Sequence, residues 1–112
     1  MLRILQWNIC GLRGNINSLK EAVVKEEIDV VHLQETLTTD ETTPKLQGFE
    51  HYTLPHSDER RGLTTLIKRS IPQELLEQPT PCGEGVEVLA IKIHRPPSIQ
   101  HIQKPKVGAG SL

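Results

Sequence analysis

Residues 2–35, LRILQWNICGLRGNINSLKEAVVKEEIDVVHLQE, decide the fold. Leu2, Ile4, Leu5 and Trp7 form an apolar run that reads as a buried β-strand, and the run stops at a polar amide, Asn8. Gly11 and Gly14 then punctuate a loop, after which Asn15 or Asn17 is placed to cap a helix. Ile16, Leu19, Ala22 and Val23 share one face at helical spacing, while Lys20, Glu21, Lys25 and Glu26 face water. A helix is expected from Ile16, ending near Glu27. Ile28–Glu35, IDVVHLQE, reads as a second strand whose Val30, Val31 and Leu33 are continuous enough for burial on both faces. Strand, about ten residues of helix and strand again make a βαβ unit, whose strands are parallel and whose crossover is right-handed. The fold class is α/β.

Working outward, TLTTDETTPKLQG is polar and turn-rich and reads as a surface loop. Phe49–Leu54 is a third strand, PHSDERRG a charged turn, and Leu63–Ile71 a fourth strand, rich in β-branched residues and stopped by Pro72. PTPCGEG reads as a loop and Val86–Ile93, VEVLAIKI, as a fifth strand. From His94 the pattern dissolves, so residues 94–112 are expected to be an extended or disordered tail after a domain spanning residues 1–93.

Composition narrows the function classes. The chain has 112 residues and a net charge of −1, so no global basic surface announces a nucleic-acid binder. The last 25 residues hold Lys92, Arg95, Lys104 and Lys106 and no acid, a balance that reads as a solvated terminus rather than a binding arm. Cys10 and Cys82 are the only cysteines and are not in CxxC spacing, so a zinc site is not expected and reduced thiols of an intracellular protein are the simpler reading. The N-terminus lacks the long apolar stretch of a secretory signal, and no run is long enough to span a membrane.

Asn8 ends the first strand and Glu35 the second. In a parallel pair both ends lie at the same sheet edge, which is where ligands bind in open α/β sheets. Two polar groups 27 positions apart in sequence are therefore expected to converge. A glutamate there can hold a hard cation such as Mg²⁺, which takes oxygen ligands. An asparagine can donate to a phosphate oxygen or hold a carboxylate in place. By position alone, a glutamate at a strand end is ordinarily a solvated loop start.

The residues around them carry a resemblance. Trp7-Asn8-Ile9-Cys10-Gly11-Leu12-Arg13 followed by Gln34-Glu35-Thr36 resembles the opening of the endonuclease/exonuclease/phosphatase superfamily. The best-matched branch is the apurinic-endonuclease-like domain of non-LTR (LINE-type) retrotransposon proteins. GFEHYTL, RGLTTLIKRSIP and VEVLAIKI are similar to later segments, so the resemblance covers residues 2 to about 93. It implies the N-terminal half of a two-sheet α/β sandwich that starts with a βαβ unit. It further implies a Mg²⁺- or Mn²⁺-dependent phosphodiester hydrolase acting on DNA in the nucleus, with Glu35 binding the metal and Asn8 as a catalytic residue near the scissile phosphate.

The same resemblance requires a later tyrosine, a G-D-x-N motif and a final S-D-H motif. This sequence has no G-D-x-N after Ile93, no aspartate after Asp58 and no S-D-H. HRPP at His94–Pro97 lacks the tyrosine of the family's Y-x-P-P stretch, and Tyr52 lies too early. His56, Ser57 and Asp58 have the S-D-H residue types in reversed order within a charged turn, and they read as solvated, as do Arg60 and Arg61. The expectation is a truncated endonuclease domain, inactive alone. The alternatives are a non-enzymatic remnant or binding module with the same half-fold, and a phosphatase of the same superfamily. One helix can shield only part of one face of such a sheet. An exposed apolar sheet face is therefore expected, with self-association through it.

Overall fold

The computed structural model describes residues 2–39, 44–54, 57, 61–76, 91–93 and 99–104. Strand β1 (Leu2–Asn8) leads through a short 3₁₀ turn (Arg13–Asn15) into helix α1 (Ile16–Lys25) and then β2 (Val30–Gln34). β3 (Phe49–Leu54) and β4 (Leu63–Lys68) follow, then β5 (Gln73–Leu75), β6 (Ile91–Ile93) and β7 (Ile99–Lys104). The main sheet has five strands in the order β3-β4-β2-β1-β7, and β5 and β6 form a two-stranded antiparallel sheet of their own. β1 and β2 are parallel, with Leu5 beside Val31 and Asn8 beside Gln34. β4 runs antiparallel to β2 and to β3. The architecture is a mixed α/β fold that begins with the expected βαβ unit.

Alternation along the strands builds two cores. On one face Leu5, Val31, Leu33 and Leu66 meet Leu19, Ala22 and Val23 of α1, with Ile9, Leu12 and Ile28 closing the ends. On the other face Leu2, Val30 and Ile67 pack with Ile4, Tyr52, Ile71 and the β6 residues Ile91 and Ile93. Val30 and Val31 are both fully buried, one in each core, which accounts for the unbroken apolar run in β2.

Helix α1 stops because the chain turns left-handed at Glu27 (φ +51°). Ile28 N–H reaches the Val23 carbonyl (3.0 Å) and Glu27 N–H the Val24 carbonyl (3.3 Å). This is the Schellman pattern, and Val23 and Ile28 belong to the same apolar cluster. At the helix start Asn15 occupies the cap position, but its side chain makes no capping bond. Asp29, just before β2, ties three strands together. Its Oδ2 accepts Arg3 N–H (2.9 Å), its carbonyl accepts Lys68 N–H (3.0 Å), and its Oδ1 pairs with Lys68 Nζ (3.2 Å).

Three expectations are corrected. Residues 99–104, placed in an extended or disordered tail, form β7 in parallel register with β1, Leu2 beside Ile99 and Trp7 beside Lys104. The segment is extended as expected, but β1 has a free edge whose N–H and C=O groups it pairs, so the sheet runs past residue 93. β4 ends at Lys68, because Arg69 and Ser70 make a turn closed by Ile71 N–H to the Lys68 carbonyl (3.0 Å). The exposed apolar sheet face is not found among the described residues. Val30 and Ile67 are 0% and 1% exposed, β6 lies against them, and the rest of that face carries Gln6, His32 and Thr65 side by side. The exposed large apolar side chains, Val24, Leu37, Leu75 and Leu76, lie on α1, after β2 and at the end of β5. Of the fifth strand expected at Val86–Ile93, Ile91–Ile93 is observed as β6 and the remainder lies outside the described residues.

Candidate functional site

The parallel β1–β2 pairing continues past the strand ends as a backbone zipper. Ile9 N–H bonds the Gln34 carbonyl (3.1 Å), Gly11 N–H that of Glu35 (2.8 Å) and Leu12 N–H that of Thr36 (2.9 Å). On its other side the same segment bonds to the approach to β4. Thr36 N–H reaches the Gly62 carbonyl (3.3 Å) and Leu37 N–H the Arg61 carbonyl (2.9 Å). Glu35 is thus held between two neighbouring segments rather than on a free loop.

Backbone conformation reinforces this. Glu35 (φ +52°) and Leu37 (φ +56°) are left-handed without being glycine, as is Cys10 (φ +51°) next to Gly11 (φ +103°). Such residues persist where surrounding bonds over-determine the chain, and they cluster at functional sites. Between them Ile9, Leu12 and Thr36 are at most 1% exposed, so the floor of the edge is solid. Asn15 secures the loop from above, its Nδ2 donating to the carbonyls of Ile9 (3.1 Å) and Gly11 (2.9 Å).

The two residues expected at the site lie where the sequence placed them, at one edge of the sheet. Asn8 pairs in register with Gln34, and Glu35 is the next residue. The Asn8 Oδ1 is buried and has no hydrogen-bond partner among the described residues. Buried polar atoms are nearly always bonded, so an orphan of this kind asks for an occupant. The Glu35 side chain is only 16% exposed, and its Oε1 meets Arg61 Nε at 2.6 Å. Arg61, expected to be a solvated turn residue, is largely exposed and in addition serves as a counter-charge to Glu35. The motif signal that marked Glu35 held no information about Arg61, since only the β2–β4 pairing brings the two together.

Other titratable groups lie apart from this edge. His32, on the second sheet face, sets Nδ1 against Thr65 Oγ1 (3.0 Å). Part of its ring meets solvent, yet burial beneath the ring lowers its pKa, helped by the His101 imidazole. His51 accepts Leu46 N–H at Nε2 (2.8 Å), and burial lowers its pKa. Of the reversed His56-Ser57-Asp58 triplet, His56 and Asp58 lie outside the described residues.

In donor type the edge suits a hard cation, since a carboxylate and a buried amide oxygen are ligands that Mg²⁺ accepts. In number it is sparse: no group of three or more His, Cys, Asp or Glu side chains gathers among the described residues.

No family model matches the sequence. Over 73 residues, 62% of this chain, it is 38% identical to the probable RNA-directed DNA polymerase from transposon X-element of Drosophila melanogaster, and the match spans 8% of that protein. Among solved structures, the catalytic domain of Xenopus laevis APE2 is 30% identical with a TM-score of 0.50, over 64% of this chain and 26% of that one. The AP endonuclease LMAP from Leishmania major is 27% identical with a TM-score of 0.48, over 58% of this chain and 23% of that one. By sequence and by fold, then, this chain is a partial match to a probable transposon RNA-directed DNA polymerase and to the APE2 catalytic domain, in agreement with the superfamily resemblance carried by its WNICGLR and QET segments.

Proposed function

We propose that these 112 residues carry part of a Mg²⁺- or Mn²⁺-dependent DNA endonuclease domain of the retrotransposon type, too incomplete to cleave DNA alone. The carrying observation is the shared edge of β1 and β2, where Asn8, with its orphaned Oδ1, and Glu35 both lie on a doubly hydrogen-bonded backbone. The likeness to an AP-endonuclease catalytic domain supports a phosphodiester as the bond attacked. The likeness to a transposon polymerase supports DNA as the substrate and a nuclear place of action. The small β5–β6 sheet, packed on the second face of the main sheet, is the start of a second layer in this reading, as half of a two-sheet sandwich requires.

Glu35 would hold the cation, and Asn8 would orient a phosphate oxygen by donating from its amide nitrogen. When bound, the cation supplies charge stabilisation to the phosphoryl oxygens. Among the described residues no histidine lies at this edge to move a proton. General acid and base groups contribute about 10²- to 10⁴-fold each, and a constellation that acts as a unit loses nearly all its effect when members are missing. The sequence has neither S-D-H nor G-D-x-N to supply them.

Supercoiled plasmid incubated with the protein and Mg²⁺ or Mn²⁺ should therefore stay intact. Nicking that disappears in Glu35→Gln would show that the missing motifs are dispensable.

A further inference from the structure

Arg61 is tethered at both ends and free in the middle. Its carbonyl accepts Leu37 N–H (2.9 Å), and its guanidinium meets Glu35 at 2.6 Å, while the side chain remains 59% exposed. Glu35 has the opposite character, with a side chain 16% exposed and a backbone locked between two segments. The arginine can leave this contact without disturbing the core, and the glutamate cannot follow it.

We propose that Arg61 is a resident competitor for the divalent cation at Glu35: the guanidinium neutralises the carboxylate, and a metal ion binds only as it swings away. The inference rests on the metal site proposed above. In that reading the cation binds the Glu35 carboxylate, whose Oε1 Arg61 holds, and two positive groups on one carboxylate repel each other. A dication approaching the intact pair meets less negative charge than one approaching the carboxylate after Arg61 has left. The backbone bond from Leu37 to Arg61 keeps the guanidinium within reach after displacement, so the competition is local and reversible.

Mn²⁺ binding read by electron paramagnetic resonance on the 112-residue protein separates the outcomes. Arg61→Gln should bind Mn²⁺ about two- to fivefold more tightly, the scale of a partly exposed ion pair. The gain should vanish when Glu35→Gln is added. A second readout is thermal: added Mn²⁺ should raise the melting temperature more in Arg61→Gln than in the parent. Arg69→Gln, which removes the exposed pair with Glu50 (3.4 Å), should leave Mn²⁺ affinity unchanged. If Glu35→Gln loses Mn²⁺ but Arg61→Gln binds it no better than the parent, competition is overturned and the metal site stands. If Arg61→Gln binds more weakly, Arg61 supports the site instead and the proposal fails. If no version binds Mn²⁺, the metal site and the competition fall together.

Discussion

Changing Asn15 to Asp replaces one nitrogen by oxygen and leaves the side-chain shape nearly intact. In the wild type, Nδ2 donates to the carbonyls of Ile9 and Gly11 at 3.1 and 2.9 Å, pinning the loop that follows Asn8. A neutral hydrogen bond contributes about 1 kcal/mol net, so Asn15→Ala should cost about 2 kcal/mol. Asn15→Asp loses the same two donors and also aims a negative oxygen at two carbonyl oxygens, so the cost should rise to about 3 kcal/mol. For a chain of this size about 1 kcal/mol corresponds to about 4 °C in melting temperature. Melts at pH 7 should then fall by about 8 °C for Asn15→Ala and about 12 °C for Asn15→Asp. Below about pH 4 the introduced carboxyl is protonated and regains one donor, so the gap between the two variants should narrow. A helix cap acts through its oxygen, and Asp serves there as well as Asn. An Asn15→Asp protein as stable as wild type, or more stable than Asn15→Ala, would refute the loop-pinning role and restore the capping one.

Glu27→Gly should stabilise the fold by about 1 kcal/mol, because glycine adopts the left-handed conformation (φ +51°) without a Cβ penalty; chemical denaturation would check it, and a loss of stability would contradict it. Burial lowers the pKa of His51 and of His32, so the unfolded chain, titrating near 6.5, takes up protons before the folded one does. Stability should be full above that pH and should decline as pH falls through it. His51→Gln should flatten the decline, and unfolding curves from pH 8 to 5 that do not diverge between variant and parent would rule out His51 as a source.

Much of the framework is legible in sequence because it is local. The period change from strand to helix to strand fixes β1, α1 and β2, and Phe49–Leu54 is bounded by its own turn residues. What escapes is set by partners distant in sequence. IQHIQK places isoleucines three apart, a spacing that points to no strand, and only the free edge of β1 makes it β7. Gln73–Leu75 is too short to show a period and is a strand because Ile91–Ile93 lies beside it. The placement of Asn8 and Glu35 at one sheet edge follows from the strand ends and their parallel pairing. The pairing of Arg61 with Glu35, and the use of Asn15 as a loop tie, depend on which backbone groups face them after folding.

The central claim is that Glu35 at the β2 end holds a divalent cation. Calorimetric titration of Mg²⁺ and Mn²⁺ into the wild-type protein and Glu35→Ala tests it most directly, because Glu35 is the strand-end carboxylate at the edge shared by β1 and β2. The account predicts saturable binding in the wild type that weakens about tenfold or more in the variant, the loss of one carboxylate ligand from a site with few. Superimposable isotherms for the two proteins would contradict it.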